Sequence, residues 1–505
     1  MAGTRKIASP ARRRPCGRDA QAPLAESEVD INTGMFTNEK QTSRMRILER
    51  LGLHRPELRA WAMYEWAVTG MWAVIVTTVF PIYYQTVAAA GVPGEQATRN
   101  FALATTLGIV AVAVVAPLLG AMTDRKPLKK RLLAVFASIG IAGAGLLFFV
   151  EQGDWLLGLG FFVLVNIGVN GSTVFYDSLL PYIASRREVD RVSTGAFAVG
   201  YLGAGLLLAG CLVLILNPGW FGIPEGTLPS RLAFLLVAIW WAVFSIPLFR
   251  KVREPPVEIG PDEDAATSTL RFAFERIRAT FRSLRSYKNA FLLLIAYLIY
   301  GDGIGTIIRM ATVYGAELGI EQGHMIGAVV LVQFVGVPCT FIFGMIAGRI
   351  GTKQAIFFGL FVYTVISVLG FFMTTAVHFW VLALLVGTVQ GGTQALSRSL
   401  YASMIPAYKS GELFGFFGVM DKFAGMIGPT VFAMMIALTG SSRFGILSII
   451  VFFVVGAAIL YTVDEDAGRK LAEDEQRRAR PLTAESERLR SHMRSEGKRA
   501  PASKA

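Results

Sequence analysis

Four polar residues, Asn166, Asn170, Thr173 and Asp177, recur at steps of four, three and four, which places them on one face of a helix. Gln390, Gln394, Ser397 and Tyr401 repeat those steps 224 positions later, and a proline follows each set, Pro181 and Pro406. Such amides and hydroxyls either join neighbouring helices or offer hydrogen bonds to a polar solute. Because two matched stripes occur, the spacing favours a water-accessible cavity between related halves. The segment YGDGIGTIIRM sets Asp302 among Gly301, Gly303 and Gly305, with Arg309 seven residues on along the same face. Glycine weakens a helix by up to about 1 kcal/mol per residue, so an interrupted helix is expected here, with Asp302 as the strongest single candidate for a substrate or proton site. Asp302 and Arg309 would either hold the ammonium and carboxylate of a zwitterion or neutralise each other. Glu65, beside Trp61, Tyr64 and Trp66, would either couple to proton movement or sit at a membrane interface.

These groups stand within apolar segments, where each charge costs at least about 2.5 kcal/mol near the bilayer centre and so marks a cavity or a partner. Arg398, Asp421 and Lys422 are in the same position, the last two reading as a structural pair. The 505 residues are 53% hydrophobic and only 17% charged, with 52 glycines and 35 phenylalanines, which excludes an ordinary soluble domain. A spanning helix needs about 20 mainly apolar residues. Twelve stretches qualify: 60–86, 100–122, 132–150, 155–184, 192–216 and 232–249, then 290–314, 325–347, 355–375, 379–406, 413–439 and 444–463.

The expected domains are therefore a tail over 1–59 with a short basic helix near its end, six-helix bundles over 60–249 and 290–463, a linker over 250–289, and a charged tail over 464–505. Of the 49 Lys and Arg, only Arg99, Arg231 and Arg443 fall in the loops of one side and only Arg309, Arg398 and Lys422 inside spans. The remainder lie on the side that carries both termini, which places the termini in the cytoplasm by the positive-inside rule. In the linker, Leu270, Phe274, Ile277, Phe281 and Leu284 alternate with Arg271, Arg276, Arg278, Arg282 and Arg285. That pattern suits an amphipathic helix, lying on anionic lipid or packed beneath the bundle. The basic tails also suit anionic lipid better than nucleic acid. Cys16, Cys211 and Cys339 are scattered, and His54, His324, His378 and His492 fall in tails or loops. No metal site, cofactor or disulfide framework is expected, and there is no GxxxxGK[ST] loop for ATP.

The loop after the second stretch reads Gly120-Ala-Met-Thr-Asp124-Arg125-Lys126. With twelve spans, it resembles the G-x-x-x-D-R signature of the major facilitator superfamily. RPELRAWAMYEWA, NIGVNGSTVFYDSLLPYIA, LIYGDGIGTI and VQGGTQALSRSLYASMIP resemble more narrowly its vacuole effluxer-like branch, whose fungal relatives are autophagy-related amino-acid effluxers. The resemblance runs over about residues 55–466, and departs at Glu65, where relatives more often have Asp. It implies an all-α fold of two six-helix bundles, with the first, fourth, seventh and tenth helices lining a cavity that opens alternately to each side. It further implies an inner gate in which Asp124 approaches a helix N-terminus and Arg125 a carboxylate. The loop after the eighth stretch keeps Gly344 and Arg349 but has Gly348 in place of the acid, so a second gate would lack that group.

On these grounds the chain is expected to be no enzyme but a multi-pass secondary transporter, most simply of a bacterial cytoplasmic membrane, exporting amino acids or similar solutes by proton or solute gradients. The alternatives are an exporter of drugs or metabolites, or a non-transporting sensor or scaffold on the same fold.

Overall fold

Apolar segments long enough to cross a bilayer must satisfy their backbone groups internally, and helices do so. The computed structural model describes residues 48–185, 187–256, 287–423, 427–439 and 441–478, and every regular element among them is helical. The first half comprises α1, starting at Pro56–Met71 and running on to Ala88, α2 Gly94–Arg125, α3 Lys129–Leu146, α4 Trp155–Ser178, α5 Val189–Leu216 and α6 Leu228–Lys251. The second half comprises α7 Lys288–Glu317, α8 Gln322–Ile350, α9 Thr352–Phe371, α10 Ala376–Ser403, α11 in two segments, Ser410–Phe423 and Ile427–Thr439, and α12 in Ser442–Ser448 and Ile450–Tyr461. Residues 465–478 form a further helix, α13. Ten spans are long and apolar enough to cross a membrane by themselves; α2, with an apolar stretch at Leu103–Ala116, and the divided α11 complete the twelve-helix fold.

Burial is inverted relative to a soluble protein. Leu103, Leu107, Val110 and Val114 form an exposed stripe on α2 suited to lipid, while Asn166, Asp177, Asp302 and Arg398 are buried. The helix ends nearest residues 48 and 478 define a tail face, and the opposite ends a far face. The expected linker helix falls at 257–286 and the basic tails extend past 478 and before 48, outside the described residues.

Two local features differ from the sequence expectation. The helix predicted to be interrupted, α7, runs unbroken through Gly301, Gly303 and Gly305. Gly303 instead gives room to the Phe453 ring and the Phe452 Cβ of α12, so this glycine serves close helix packing. The irregular helix is α1, which widens to π-helical turns at Trp72–Thr78 and Tyr84–Ala88. Pro81 supplies the reason for the first: its ring cannot sit against the carbonyl of Thr77 in a regular helix and it has no N–H to donate.

The tightest crossing within the first half joins α3 to α4, where a Cβ on Gly168 would collide with the backbone of Gly140. Gly168→Leu is expected to separate these helices and cost about 3 kcal/mol or more. Size-exclusion profiles and thermal unfolding of the detergent-purified protein measure this, and an unchanged Tm would refute it.

Candidate functional site

Arg398 is the most heavily engaged buried cation of the fold. It lies on α10 and is 4% exposed. One terminal nitrogen donates to Glu65 Oε2 of α1 at 3.2 Å and to Asp177 Oδ1 of α4 at 3.0 Å. The Nε donates to Ser193 Oγ of α5 at 3.0 Å, and the other terminal nitrogen to the Ser193 carbonyl at 3.3 Å. All three guanidinium nitrogens are thus satisfied, as a buried arginine requires. Its faces meet aromatic rings: Phe197 at 4.4 Å, Trp61 at 5.0 Å and Tyr176 at 5.8 Å. Trp61 stacks on Tyr176 at 4.4 Å and donates its indole N–H to the Tyr176 carbonyl, which ties α1 to α4 around the cation.

The two carboxylates and Ser193 come from the first half, the guanidinium from the second. The cluster therefore joins the halves. When all its groups are ionised it carries one excess negative charge, and a single proton would neutralise it. Its depth follows from the helix ends. Ser193 is four residues into α5 and Arg398 five from the end of α10, so the cluster lies roughly 6–8 Å inside the tail face.

The amide stripe sits deeper. Asn166 is twelve residues, roughly 18 Å, from the tail end of α4. Asn166 and Asn170 are each 1% exposed and donate to carbonyls of their own helix, Phe162 at 2.9 Å and Asn166 at 2.8 Å. In this conformation they face no open cavity, and Asn166 packs on Gly108 of α2. Gln390 and Gln394 on α10 are half-buried. Of the stripes, Asp177 joins the charge cluster, whereas Ser397 turns to α7, where its hydroxyl hydrogen-bonds with that of Tyr300 at 2.6 Å.

Asp302, also near mid-depth, is 1% exposed, and its Oδ2 accepts the Gly428 N–H at 2.8 Å. It thereby caps the second segment of α11, an arrangement in which a helix N-terminus stabilises a carboxylate. Arg309 is exposed. The structure thus brings Glu65 and Asp177 together through Arg398 and gives Asp302 a helix-capping contact.

At the tail face Asp124 caps the first segment of α11. Its carboxylate accepts from the Gly411 and Glu412 N–H groups at 3.0 and 2.9 Å and pairs with Lys129 at 2.9 Å. Lys129 donates to Ser410 Oγ at 2.7 Å, and Ser410 donates to the Ser178 carbonyl at 3.0 Å. A Cβ on Gly120 would strike the Gly411 carbonyl, so glycine permits α2 and α11 to approach this closely. The Arg125 side chain lies outside the described set. Arg349 is exposed and makes no ion pair among the described residues. Ser193 and Phe197 were missed because a lone Ser and a Phe in an apolar helix carry no sequence signal of their own.

Removing Arg398 leaves Glu65 and Asp177 buried together without their cation, a loss of about 3–5 kcal/mol. Arg398→Leu is expected to lower the Tm sharply. Arg398→Lys recovers little, since one ammonium cannot reproduce the forked contacts. Adding Asp177→Asn to Arg398→Leu restores part of the loss; thermal unfolding of the three variants measures it, and a double variant no more stable than Arg398→Leu would refute the charge argument.

Comparison with known proteins accords with this architecture. A family model described as vacuole effluxer Atg22 like matches residues 54–473. The chain is 34% identical over 425 residues to the MFS-type transporter YxiO of Bacillus subtilis (strain 168), covering 82% of this chain and 96% of that protein. It is 23% identical over 460 residues to autophagy-related protein 22 of Yarrowia lipolytica, with 74% and 77% covered. The E. coli fucose:proton symporter FucP shares the fold at a TM-score of 0.61 and 13% identity, over 82% of this chain and 99% of that one. So does the proton:xylose symporter XylE, at a TM-score of 0.61 and 13% identity over 83% and 97%. With two six-helix halves joined by a buried charge cluster, and a family match over most of its length, the chain is an integral multi-pass membrane protein of the vacuole effluxer Atg22-like family, built on the major facilitator fold.

Proposed function

We propose that the chain is a secondary transporter of the major facilitator type that exports amino acids or closely similar small solutes, coupled to protons. The observation that carries the reading is Arg398 held between Glu65 and Asp177 across the two halves. A buried cluster with two acids and one base changes by a whole charge when it takes a proton, and that change weakens the attraction that closes the tail side. The Bacillus relative, named an MFS-type transporter, supports transport, and the vacuole effluxer family supports the outward direction.

In this reading the solute binds near mid-depth, between the α4 stripe of Asn166 and Asn170, the α10 stripe of Gln390 and Gln394, and the α7 face of Asp302 and Arg309. Closure of the tail side by Asp124 on α11 corresponds to the inner gate, with Gly120 as its close-packed hinge. Arg125 belongs to the same gate loop, and Arg349 would find a partner in the opposite state. The tail face is the cytoplasmic one, since exposed Lys126, Arg131, Arg250, Lys251 and Arg253 gather there. The same cations suit anionic lipid headgroups. A bacterial plasma membrane fits the Bacillus relative.

The test uses purified protein in liposomes. Counterflow of a mixed labelled amino-acid pool is expected in the wild type, and an imposed pH gradient should drive net accumulation. Glu65→Gln keeps an acceptor for Arg398 but cannot exchange a proton. It should retain counterflow and lose gradient-driven accumulation roughly 10-fold or more. Wild-type protein that is folded yet moves no amino acid would remove amino acids as the substrate class; gradient-driven accumulation by Glu65→Gln at the wild-type level would remove Glu65 from coupling.

A further inference from the structure

The two halves are related by repetition, yet their gate loops are not equivalent. In the first, Gly120 is followed four residues later by Asp124, which caps α11 of the other half. In the second, Gly344 is followed by Gly348, which has no side chain with which to cap α5, the counterpart of α11. A tail face held on one side of the repeat axis alone would hinge open on the other. What holds the second side is visible in the contacts of α5.

Asp190, the second residue of α5, reaches in the opposite direction. Its carboxylate accepts from Thr352 Oγ1 at the start of α9 at 2.7 Å and from Ser399 Oγ of α10 at 2.5 Å. Ser399 is fully buried and Thr352 2% exposed. Arg469 of α13 stands behind the same point, within 3.4 Å of Thr352 Oγ1 and 3.2 Å of Ser403 Oγ. One turn deeper, Gly344 admits Thr194 of α5 at a distance that a side chain at 344 would prevent.

We infer that Asp190 is the second lock of the tail face, in place of the acid missing at Gly348, and that it is released together with the Arg398 cluster. This rests on the alternating-access reading above. The wiring is one residue long on α10 and under one helical turn on α5. Ser399, which donates to Asp190, follows Arg398 directly. Ser193, which holds Arg398 by hydroxyl and carbonyl, is three residues after Asp190 on α5. The first lock is wired alike: Ser178, whose carbonyl accepts from Ser410, directly follows Asp177. A shift of α10 against α4 and α5 that breaks Arg398 from its acids therefore pulls on both locks at once. Both gate acids, Asp124 and Asp190, belong to the first half, and each accepts from donors of the second, Gly411 and Glu412 for Asp124 and Thr352 and Ser399 for Asp190.

The test reads distance rather than flux, so it stands or fails separately from the transport assignment. Spin labels are placed on exposed tail-face positions flanking the lock, Arg187→Cys in the first half and Ile350→Cys in the second, with the native cysteines replaced. Pulsed electron resonance on the full chain in nanodiscs then gives the share of molecules with the tail face open. Asp190→Ala should raise that share roughly 10-fold, and Ser399→Ala and Thr352→Val each by a smaller factor of about 3, the net worth of a single hydrogen bond at the low end of its usual range. Combining Asp190→Ala with Glu65→Gln should open less than the product of the two single effects, because both act on one linked closure. The inference is overturned if Asp124→Ala opens the face while Asp190→Ala, Ser399→Ala and Thr352→Val leave the distances at those of the parent. If Asp190→Ala does not fold, the two hydroxyl variants decide alone. A widened distribution in a protein that moves no solute would keep the lock and remove the transporter reading.

Discussion

A guanidinium buried within a membrane bundle must find its counter-charges inside the protein, and in this fold Arg398 finds them across the divide between the halves. Lipid offers helices no hydrophobic reason to associate, so close packing and polar contacts decide which surfaces meet. Glycine brings the backbones together at Gly120 and Gly411, and the hydrogen-bonded charges decide whether they stay so. Tail-side closure is accordingly layered. Hydrogen-bonded caps and hydroxyls lie at the surface, at Asp124 and Asp190, and an ion cluster boxed in by Trp61, Tyr176 and Phe197 lies beneath. Both layers are buried: the Asp124 and Lys129 side chains are 2% and 3% exposed, those of Glu65 and Asp177 12% and 9%.

α11 shows how one helix can serve both halves. Its first segment begins under the Asp124 carboxylate of the first half, and its second begins under Asp302 of α7 in its own half. Each helix start has an acid at its positive end, which supplies the local stability. The two acids differ in what they fasten. Release of Asp124 frees α11 from the other half, whereas Asp302 keeps its far portion with α7. A carboxylate on α7 that serves this purpose has little freedom to meet solute in the present conformation, and this is the physical reason that the glycine-rich setting of Asp302 misled the reading of its helix.

The twelve spans were legible because their apolar length is set by the bilayer, and the two halves because Asn166, Asn170 and Asp177 have spaced counterparts on α10. The family resemblance carried the fold further than periodicity could. Less legible was partnership. Nothing in the spacing of Glu65, Asp177 and Arg398 says that the three converge, since their separations of hundreds of residues are closed only by packing of α1, α4 and α10. The stripes indicated a polar face without telling that Asn166 and Asn170 would turn their amides to their own helix. The first π-helical turn of α1 has a cause in Pro81, whereas the glycines around Asp302 read as an interruption, and only the packing of Phe452 and Phe453 against Gly303 shows why the helix continues.

The asymmetry of the two gate loops has a mechanical consequence. Had each half offered an acid to the other, loss of one half's charge would have opened only one side of the axis. With Asp124 and Asp190 both on the first half, the second half meets these acids with N–H and O–H donors, together with the one buried cation beneath them. The acids of both locks are thus first-half acceptors met by second-half donors, while Lys129 and Ser193 of the first half donate in the other direction, to Ser410 and the Ala395 carbonyl. Because Ser178 adjoins Asp177 and Ser399 adjoins Arg398, displacement at the cluster reaches both locks through single peptide units. No long chain of side chains is required to couple the buried charge to the surface, and the coupling is carried by the rigidity of α4 and α10 themselves.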